Sequence, residues 1–254
     1  MQAIILAGGF GTRLKSMVNN VPKPMAPVNG RPFLAWLLEY MAGQGVREVV
    51  LCLHHMPELI QARFGESFHG IKLHYSIEDK PLGTGGAIKQ ALDILQPSKP
   101  VFALNGDSLV QVNYAQMMTE HMASGRKITI ATRQVPNCQR YSELTISDGM
   151  VEHYELLGDA HAGHISTGFY VISPDLFSEA FLPTALAEPS FTGLSEGLGE
   201  GGFSFERDFL SQHTPELKPA SYDGVEYFID IGVPADYTRG QAEIPQQLTR
   251  ALAA

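Results

Sequence analysis

The sequence predicts an α/β protein whose mixed, mostly parallel central sheet is flanked by helices. Short apolar runs rich in β-branched residues alternate with stretches whose apolar residues recur at helical spacing. Polar and glycine-rich motifs follow the ends of several predicted strands. Because sheets of this kind bind ligands at the carboxyl ends of their strands, we expect a binding site at that edge.

The first half of the chain supplies the regular alternation. The predicted strands are residues 3–6, 48–53, 72–77, 101–104 and 128–132. The predicted helices are residues 33–41, 57–64, 86–95 and 113–123. A strand followed by a helix, several times over, is typical of parallel βαβ units.

The second half is less regular. Residues 144–146 and 169–172 are predicted to be strands that join or flank the sheet. The glycine-rich segment 185–202 is predicted to be a loop or insertion. A terminal helix is expected from residue 236, interrupted at Pro245. We expect one domain over residues 1–254, which is a sufficient length for a single large core.

Composition excludes several classes of function. The net charge of −9 argues against a nucleic-acid-binding surface, which requires clustered Lys and Arg, but it does not exclude a nucleotide site. Two cysteines, no signal-peptide pattern and no membrane-length apolar run indicate a cytoplasmic protein without disulfides or a membrane partner. His161 and His164 have no Cys or third ligand nearby in the sequence, so no zinc site is predicted.

The strongest local motif is Leu-Ala-Gly-Gly-Phe-Gly-Thr-Arg-Leu at residues 6–14, directly after the first predicted strand. Its glycines allow backbone N–H groups to approach an anion, and Thr12 and Arg13 add phosphate-binding groups. A Walker loop is excluded because no Lys follows at the required spacing. A dinucleotide fingerprint is excluded because Leu14 stands where its third glycine belongs.

Two further motifs carry groups suited to a nucleotide. Lys23 lies between two prolines that stiffen the backbone, and an isolated Lys there would suit a triphosphate. Glu78 ends a predicted strand, and its carboxylate could accept both the N1–H and N2–H groups of guanine. Gly83 and Gly85 follow it and are expected to allow close backbone approach to a base or phosphate.

Two aspartates are candidate metal ligands. Asp107 follows an apolar strand, where a carboxylate is well placed for Mg²⁺. Asp230 lies within an apolar run, where an unpaired charge would be costly, and a cation would offset that cost.

Together these motifs resemble the sugar-phosphate nucleotidylyltransferases. The signature residues are Gly-Gly-Phe-Gly-Thr-Arg-Leu at 8–14 with Pro-Lys-Pro at 22–24. The segments at 24–28, 30–34, 81–88 and 228–234 look most like D-glycero-D-manno-heptose 1-phosphate guanylyltransferases. The resemblance implies a Rossmann-like nucleotide-diphospho-sugar transferase fold. It also implies a reaction in which GTP and the sugar 1-phosphate give pyrophosphate and a GDP-heptose for surface polysaccharide.

The resemblance also assigns roles by position. Residues 1–112 would form a nucleotide-binding half and residues 113–240 a sugar-phosphate-binding half. Arg13, Lys23 and Asp107 would be catalytic, and Asp107 and Asp230 would bind Mg²⁺. The expected nucleotide-binding residues are Leu6, Ala7, Gly8, Gly9, Gly11, Thr12, Arg13, Lys23, Glu78, Gly83 and Thr84. The expected sugar-phosphate contacts are Asn105, Tyr141, Glu155, Gly168 and Glu206.

The sugar side departs from the family pattern. Relatives carry an acidic residue and a Lys where this chain has Leu156 and Leu157, and that Lys normally meets the sugar phosphate. A UTP- or dTTP-dependent enzyme acting on a muramate or hexose phosphate, or a non-catalytic nucleotide-sugar-binding regulator, therefore stays open as an alternative. The sequence does not determine the oligomeric state, and a homodimer is compatible with it.

Overall fold

The computed structural model describes residues 1–9, 14, 17–18, 21–177 and 202–253. In chain order the strands are β1 (Gln2–Leu6), β2 (Pro27–Val28), β3 (Arg31–Pro32), β4 (Glu48–Leu53), β5 (Ser67–Phe68), β6 (Ile71–Ile77), β7 (Val101–Asn105), β8 (Ser108–Gln111), β9 (Ile128–Val135), β10 (Glu143–Ser147), β11 (Met150–Glu155), β12 (Gly163–Ile172), β13 (Ala220–Tyr222) and β14 (Tyr227–Asp230). The helices are α1 (Phe33–Gly43), α2 (Pro57–Phe64), α3 (Gly83–Leu95), α4 (Tyr114–Ser124), α5 (Ser211–Leu217) and α6 (Pro234–Ala253). A 3-10 turn covers Lys23–Met25, and a π-helical segment, Phe205–Leu210, leads into α5.

Within the described residues, ten strands form one sheet in the order β10-β11-β13-β9-β12-β7-β1-β4-β6-β5. Strands β7, β1, β4 and β6 are parallel neighbours, as are β9 and β13. The remaining pairs in the sheet are antiparallel. The predicted mixed sheet is therefore confirmed, but among the described strands parallel pairing predominates only in the first half and not over the whole sheet, as had been expected.

The sheet carries a hydrophobic core on each face, because successive strand residues point to opposite sides. In β1, Ile5 packs in a cluster with Phe33 and Leu37 of α1, whereas Ile4 packs with Ile88 of α3. Phe205 belongs to this second cluster. Both faces of the central strands are thus covered, which explains why their sequences are apolar runs without alternation.

The first-half elements lie where the sequence predicts them. Strand β4 and helix α2 have the predicted bounds, and the other predicted elements agree within a few residues. Asn113, expected inside a helix, is its N-cap, since its Oδ1 accepts a hydrogen bond of 2.9 Å from the Gln116 N–H. Each of these elements carries its own pattern of apolar residues, which the local sequence reveals, whereas the short strands β2, β3 and β5 were not predicted.

The second half differs more from the prediction. Strands β10 and β12 are longer than expected, and β8, β11, β13 and β14 were not predicted. Helix α6 continues through Pro245, because Ile244 and Leu248 on its apolar face are buried in the core. The loop expected at 185–202 lies, apart from Gly202, outside the described residues. None of the described helices has the length and apolar character needed to cross a bilayer.

Candidate active site

A cavity of about 380 Å³ opens at the carboxyl ends of β1, β4, β6 and β7. It is lined by Leu6, Ala7, Gly8, Gly9, Lys23, Pro24, Cys52, His54, Glu78, Pro81, Gly83, Thr84, Ala87, Asn105, Gly106, Asp107 and Glu206. We call this the first cavity. Its position at the carboxyl edge of the parallel strands agrees with the expectation from the sequence.

The glycine motif leaves β1 at the floor of the first cavity. The Ala7 N–H donates to the Cys52 carbonyl at 2.9 Å, and the Gly106 N–H donates to the Leu6 carbonyl at 2.8 Å. The chain therefore emerges between β4 and β7, and its next two residues, Gly8 and Gly9, line the cavity. The remaining predicted anion-binding residues of the motif, Gly11, Thr12 and Arg13, lie outside the described residues.

Lys23 is buried between two carboxylates. Its side chain is 9% exposed; its ammonium contacts Asp107 and lies 3.6 Å from Asp230 Oδ1. Pro22 and the 3-10 turn that follows it fix the backbone here, since the Met25 N–H donates to the Pro22 carbonyl at 2.8 Å. The isolated Lys expected from the sequence is thus an ion-paired one.

The two aspartates meet because β8 and β14 pair with each other. These strands form a separate antiparallel ladder in which Asp230 lies opposite Ser108, next to Asp107 in the chain. The Ile231 N–H also donates to the Asp107 carbonyl at 3.0 Å, and the Gly232 N–H donates to Asp230 Oδ1 at 2.6 Å. The charge of Asp230 inside an apolar run is therefore offset by Lys23 and a backbone donor.

Glu78 lies at the rim of the first cavity, directly after β6. Its backbone N–H donates to the Leu53 carbonyl at 2.9 Å, which continues the β4–β6 pairing by one residue. Its Oε2 accepts a hydrogen bond of 2.9 Å from the Leu82 N–H. Burial raises the pKa of the Glu78 carboxyl above its ordinary value, and the Leu82 hydrogen bond opposes that shift without cancelling it.

The structure gives Gly83 and Gly85 a role that the sequence did not reveal. A Cβ on Gly85 would lie 2.6 Å from Cζ of Phe203, and one on Gly83 would lie 2.7 Å from the Phe203 carbonyl carbon. The Gly85 N–H also donates to the Phe203 carbonyl at 2.9 Å. At Gly85 the close approach is therefore made by Phe203 of the same chain. Gly83 also lines the first cavity.

Thr84 links the first turn of α3 to the same distant segment. Its hydroxyl donates to Glu206 Oε2 at 2.7 Å and accepts from the Phe205 N–H at 2.8 Å. Because both hydrogen-bonding roles of this hydroxyl are used inside the protein, Thr84 lines the first cavity as a structural connector.

A second cavity of about 190 Å³ adjoins the first. It is lined by Asn105, Ser108, Arg140, Tyr141, Ser142, Tyr154, Ser166, Thr167, Gly168, Tyr170, Glu206, Phe228 and Asp230. Asn105 and Glu206 line both cavities, so the two spaces share a wall. Of the five predicted sugar-phosphate residues, only Glu155 is missing from the two linings.

Glu155 lies on the other side of its strand. The cavity receives Tyr154, and because strand side chains alternate, its neighbour Glu155 points away and is exposed. Gly168, by contrast, is held in the cavity wall with φ of 69°, and a Cβ there would collide with the Asn105 side chain. The structure thus brings Gly168 and Asn105 together and leaves Glu155 outside.

Several lining residues were not singled out from the sequence. Tyr154 and Tyr170 are buried, and Ser166 Oγ lies 3.3 Å from Tyr170 Oη. Arg140 is the cation in the described lining of the second cavity and pairs with Asp236 at 2.8 Å. In β11 the apolar Val151 and Tyr154 are buried and the charged Glu155 is exposed, so the apolar ring was the signal that could have identified Tyr154 as a lining residue.

Comparison with known proteins identifies the family. The profile of the nucleotidyl transferase family matches residues 2–247. A D-glycero-alpha-D-manno-heptose 1-phosphate guanylyltransferase from Aneurinibacillus thermoaerophilus is 36% identical, over 96% of this chain and 98% of the relative. Its counterpart from Campylobacter jejuni is 38% identical, over 93% of this chain and 97% of the relative.

A solved structure agrees with the sequence relatives. HddC from Yersinia pseudotuberculosis, complexed with GMP-PN, is 31% identical and superposes with a TM-score of 0.75. The superposition covers 94% of this chain and 97% of that one. The fold, the two adjoining cavities and the matched profile lead to one conclusion: this chain belongs to the nucleotidyl transferase family.

Proposed function

We propose that this enzyme joins GTP to a sugar 1-phosphate, with D-glycero-α-D-manno-heptose 1-phosphate as the acceptor, and releases pyrophosphate. The observation that carries the proposal is the Lys23–Asp107–Asp230 cluster at the boundary between the cavities. Lys23 and Asp107 line the first cavity, whereas Asp230 lines the second. A charged cluster in that position suits a reaction between two anionic substrates, one in each cavity.

The reaction requires positioning more than proton transfer. The sugar phosphate oxygen attacks the α-phosphorus of GTP in line, the new P–O bond forms, and the bond to pyrophosphate breaks. A phosphate monoester is already anionic, so no strong general base is needed. The protein must instead hold two anions together and stabilise the charge that develops. We assign the second task to Lys23, and to Arg13 from the signature motif.

The two carboxylates fit a divalent cation. Asp107 and Asp230 both contact one ammonium group, which shows that the fold directs their oxygens toward a shared cation position. Mg²⁺ takes one or two carboxylates together with phosphate oxygens, and this donor set matches that preference. Mg²⁺ held by these aspartates would neutralise phosphate charge and orient the reacting groups. Lys23 would then be released to contact the phosphates.

Base recognition is assigned to Glu78. Its ionised carboxylate has unused acceptor positions beside the Leu82 hydrogen bond, and it lines the first cavity. Guanine offers two adjacent N–H donors to one carboxylate, whereas uracil offers a single N–H. The GTP preference of this enzyme therefore follows from Glu78 in its charged form.

The division into halves follows the cavities. The described lining of the first cavity comes from residues 6–107, with Glu206 in addition, and that of the second from residues 105–230. This supports a nucleotide-binding half over residues 1–112 and a sugar-phosphate-binding half over residues 113–240. We assign the contact with the acceptor phosphate to Arg140, because Leu156 and Leu157 supply no cation there.

The test is a substrate matrix with purified protein and Mg²⁺. GTP, UTP, dTTP and ATP are each paired with heptose, mannose, glucose and muramate 1-phosphates, and pyrophosphate release and product mass are measured. We expect GDP-heptose as the main product, and a rate at least about 100-fold lower for Asp107→Ala. A main product from UTP or dTTP overturns the GTP assignment. Nucleotide binding without turnover of any pair overturns the enzyme assignment and favours a regulatory binding protein.

A further inference from the structure

Three potential metal ligands meet beyond the first cavity. Cys138 lies before β10, Glu143 begins β10, and His161 lies between β11 and β12. The Cys sulfur, a carboxylate oxygen and an imidazole nitrogen all lie within 4.8 Å of one another. Cys138 and Glu143 lie far from His161 in the sequence. The fold brings them to it, so the sequence around His161 did not reveal them as ligands.

The backbone holds these three side chains against one another. The Cys138 N–H donates to the His161 carbonyl at 3.0 Å, and His161 Nε2 lies 3.1 Å from Glu143 Oε1. Gly158 and Gly163 pack directly against the group: a Cβ on Gly158 would lie 2.7 Å from Glu143 Oε2, and one on Gly163 would lie 3.0 Å from Cys138 Sγ. The absence of side chains at these two glycines lets the sulfur and the carboxylate share one enclosed space.

The donor set distinguishes between metals. Thiolate, imidazole and carboxylate are the three ligand types of protein zinc sites, whereas Mg²⁺ takes oxygen ligands alone. With Zn–S of about 2.3 Å and Zn–N of about 2.0 Å, tetrahedral ligand atoms lie roughly 3.3–3.8 Å apart. Because no pair in the observed group is farther apart than 4.8 Å, a movement of at most about 1–1.5 Å reaches that spacing. His161 can make it, because its side chain is 54% exposed while Cys138 is buried.

We propose that Cys138, Glu143 and His161 bind one Zn²⁺ ion, separate from the pair of aspartates between the two cavities. Three protein ligands leave the fourth tetrahedral position to water. The chain from Cys138 to Glu143 contains Arg140 and Tyr141, which line the second cavity. A metal ion that fastens both ends of this segment would fix the wall that they form.

The competing explanation is a half-exposed His–Glu ion pair beside a buried thiol, with no metal. The two explanations differ in one spectroscopic property. Co²⁺ bound through Cys138 gives an intense sulfur-to-metal charge-transfer band, and an ion pair without a metal site gives none. Co²⁺ is therefore the first probe, titrated into reduced, metal-stripped full-length protein in the presence of millimolar Mg²⁺, which occupies oxygen-only sites.

Four variants make the test specific. Cys138→Ser and His161→Gln are expected to lose the charge-transfer band or to weaken Zn²⁺ binding at least tenfold. Cys52→Ala, which removes the other cysteine, and His153→Gln, which removes an exposed histidine of β11, are expected to retain both. Zn²⁺ content is measured by elemental analysis after dialysis, with one ion per chain expected for the unaltered protein.

Thermal unfolding provides a readout that does not depend on activity. Added Zn²⁺ should raise the unfolding temperature of the unaltered protein and of His153→Gln, because a ligand that binds only the folded state stabilises it. His161→Gln, a change on an exposed loop side chain, should fold normally without that increase. The proposal is overturned if the unaltered protein shows no Co²⁺–thiolate band, or if Cys138→Ser binds Zn²⁺ as tightly as the unaltered protein does.

Discussion

Replacing Lys23 with Met should make the stability of the protein depend on Mg²⁺. The substitution keeps the length of the side chain and removes the one ammonium that contacts both Asp107 and Asp230. Unit charges at 3.6 Å interact by about 4–5 kcal/mol at an effective dielectric constant of about 20. Because the side chains of Asp107 and Asp230 are 32% and 19% exposed, solvent screens this interaction substantially. We therefore expect a net loss of about 1–3 kcal/mol in the free energy of unfolding without Mg²⁺.

Mg²⁺ should return part of that stability, since a divalent cation can replace the missing charge between the carboxylates. The measurement is urea unfolding of the unaltered protein and of Lys23→Met, each with and without millimolar Mg²⁺ in the absence of nucleotide. Lys72→Met is the matched control: Lys72 is 68% exposed and lies 3.8 Å from Glu48, so its removal should change stability little and leave no Mg²⁺ dependence.

The result that would refute this reasoning is a Lys23→Met protein as stable as the unaltered one in Mg²⁺-free buffer, or one that gains no stability from Mg²⁺. Turnover reports separately on the reaction. Lys23→Met should be slower by about 100-fold even at saturating Mg²⁺, because a positioned charge near the phosphates is lost. A variant that is destabilised without Mg²⁺, regains stability with it and is nevertheless fully active would uphold the electrostatic account while removing Lys23 from the mechanism.

Three further predictions concern Glu78 and two residues of the first turn of α3, Thr84 and Gly85. Glu78→Gln should lower the ratio of GTP to UTP activity, and in the unaltered enzyme KM for GTP should rise as the pH falls. Because burial raises the pKa of Glu78, protonation and the rise in KM should begin at a higher pH than for an ordinary Glu; a pH profile unchanged by Glu78→Gln would contradict this. Thr84→Val should cost about 1–3 kcal/mol in urea unfolding, because it removes the acceptor of the Phe205 N–H and one of the donors to Glu206 Oε2, and a cost near zero would argue against the connector role. Gly85→Ala should destabilise the protein by about 1–3 kcal/mol through collision with Phe203. Gly9→Ala is its control, since a Cβ there meets no described atom within 4 Å; it should leave the unfolding midpoint unchanged and raise KM for GTP.

The sequence was sufficient to predict an element wherever a single run of residues determines its secondary structure. Strand β4 is an unbroken apolar run, and Asp107 follows a run of the same kind, so the strands and the edge that carries the site could be predicted. The meeting of Asp107 and Asp230 depends on the β8–β14 ladder, which joins segments more than a hundred residues apart. The family signature indicated that meeting, whereas local propensity could not.

The remaining features depend on partners that are distant in the sequence. Gly85 packs against Phe203, which lies more than a hundred residues away in the sequence, so no local pattern identifies that neighbour. Strand pairing in the second half likewise escapes a period-based analysis, because a strand of three residues such as β13 is defined by its pairing with β9. The glycine pattern at residues 83–85 predicted a closely approached backbone, and Phe203 is one neighbour that makes such an approach.

The wall formed by Asn105 and Glu206 has a kinetic consequence. Since one wall bounds both cavities, the proposed assignment places donor and acceptor side by side, and we expect both to be bound before either is converted, so that initial-rate plots intersect. The nucleotide-sugar product fills both spaces at once, so it should compete with each substrate in turn. Pyrophosphate, which departs from the donor space alone, should compete with the nucleotide only.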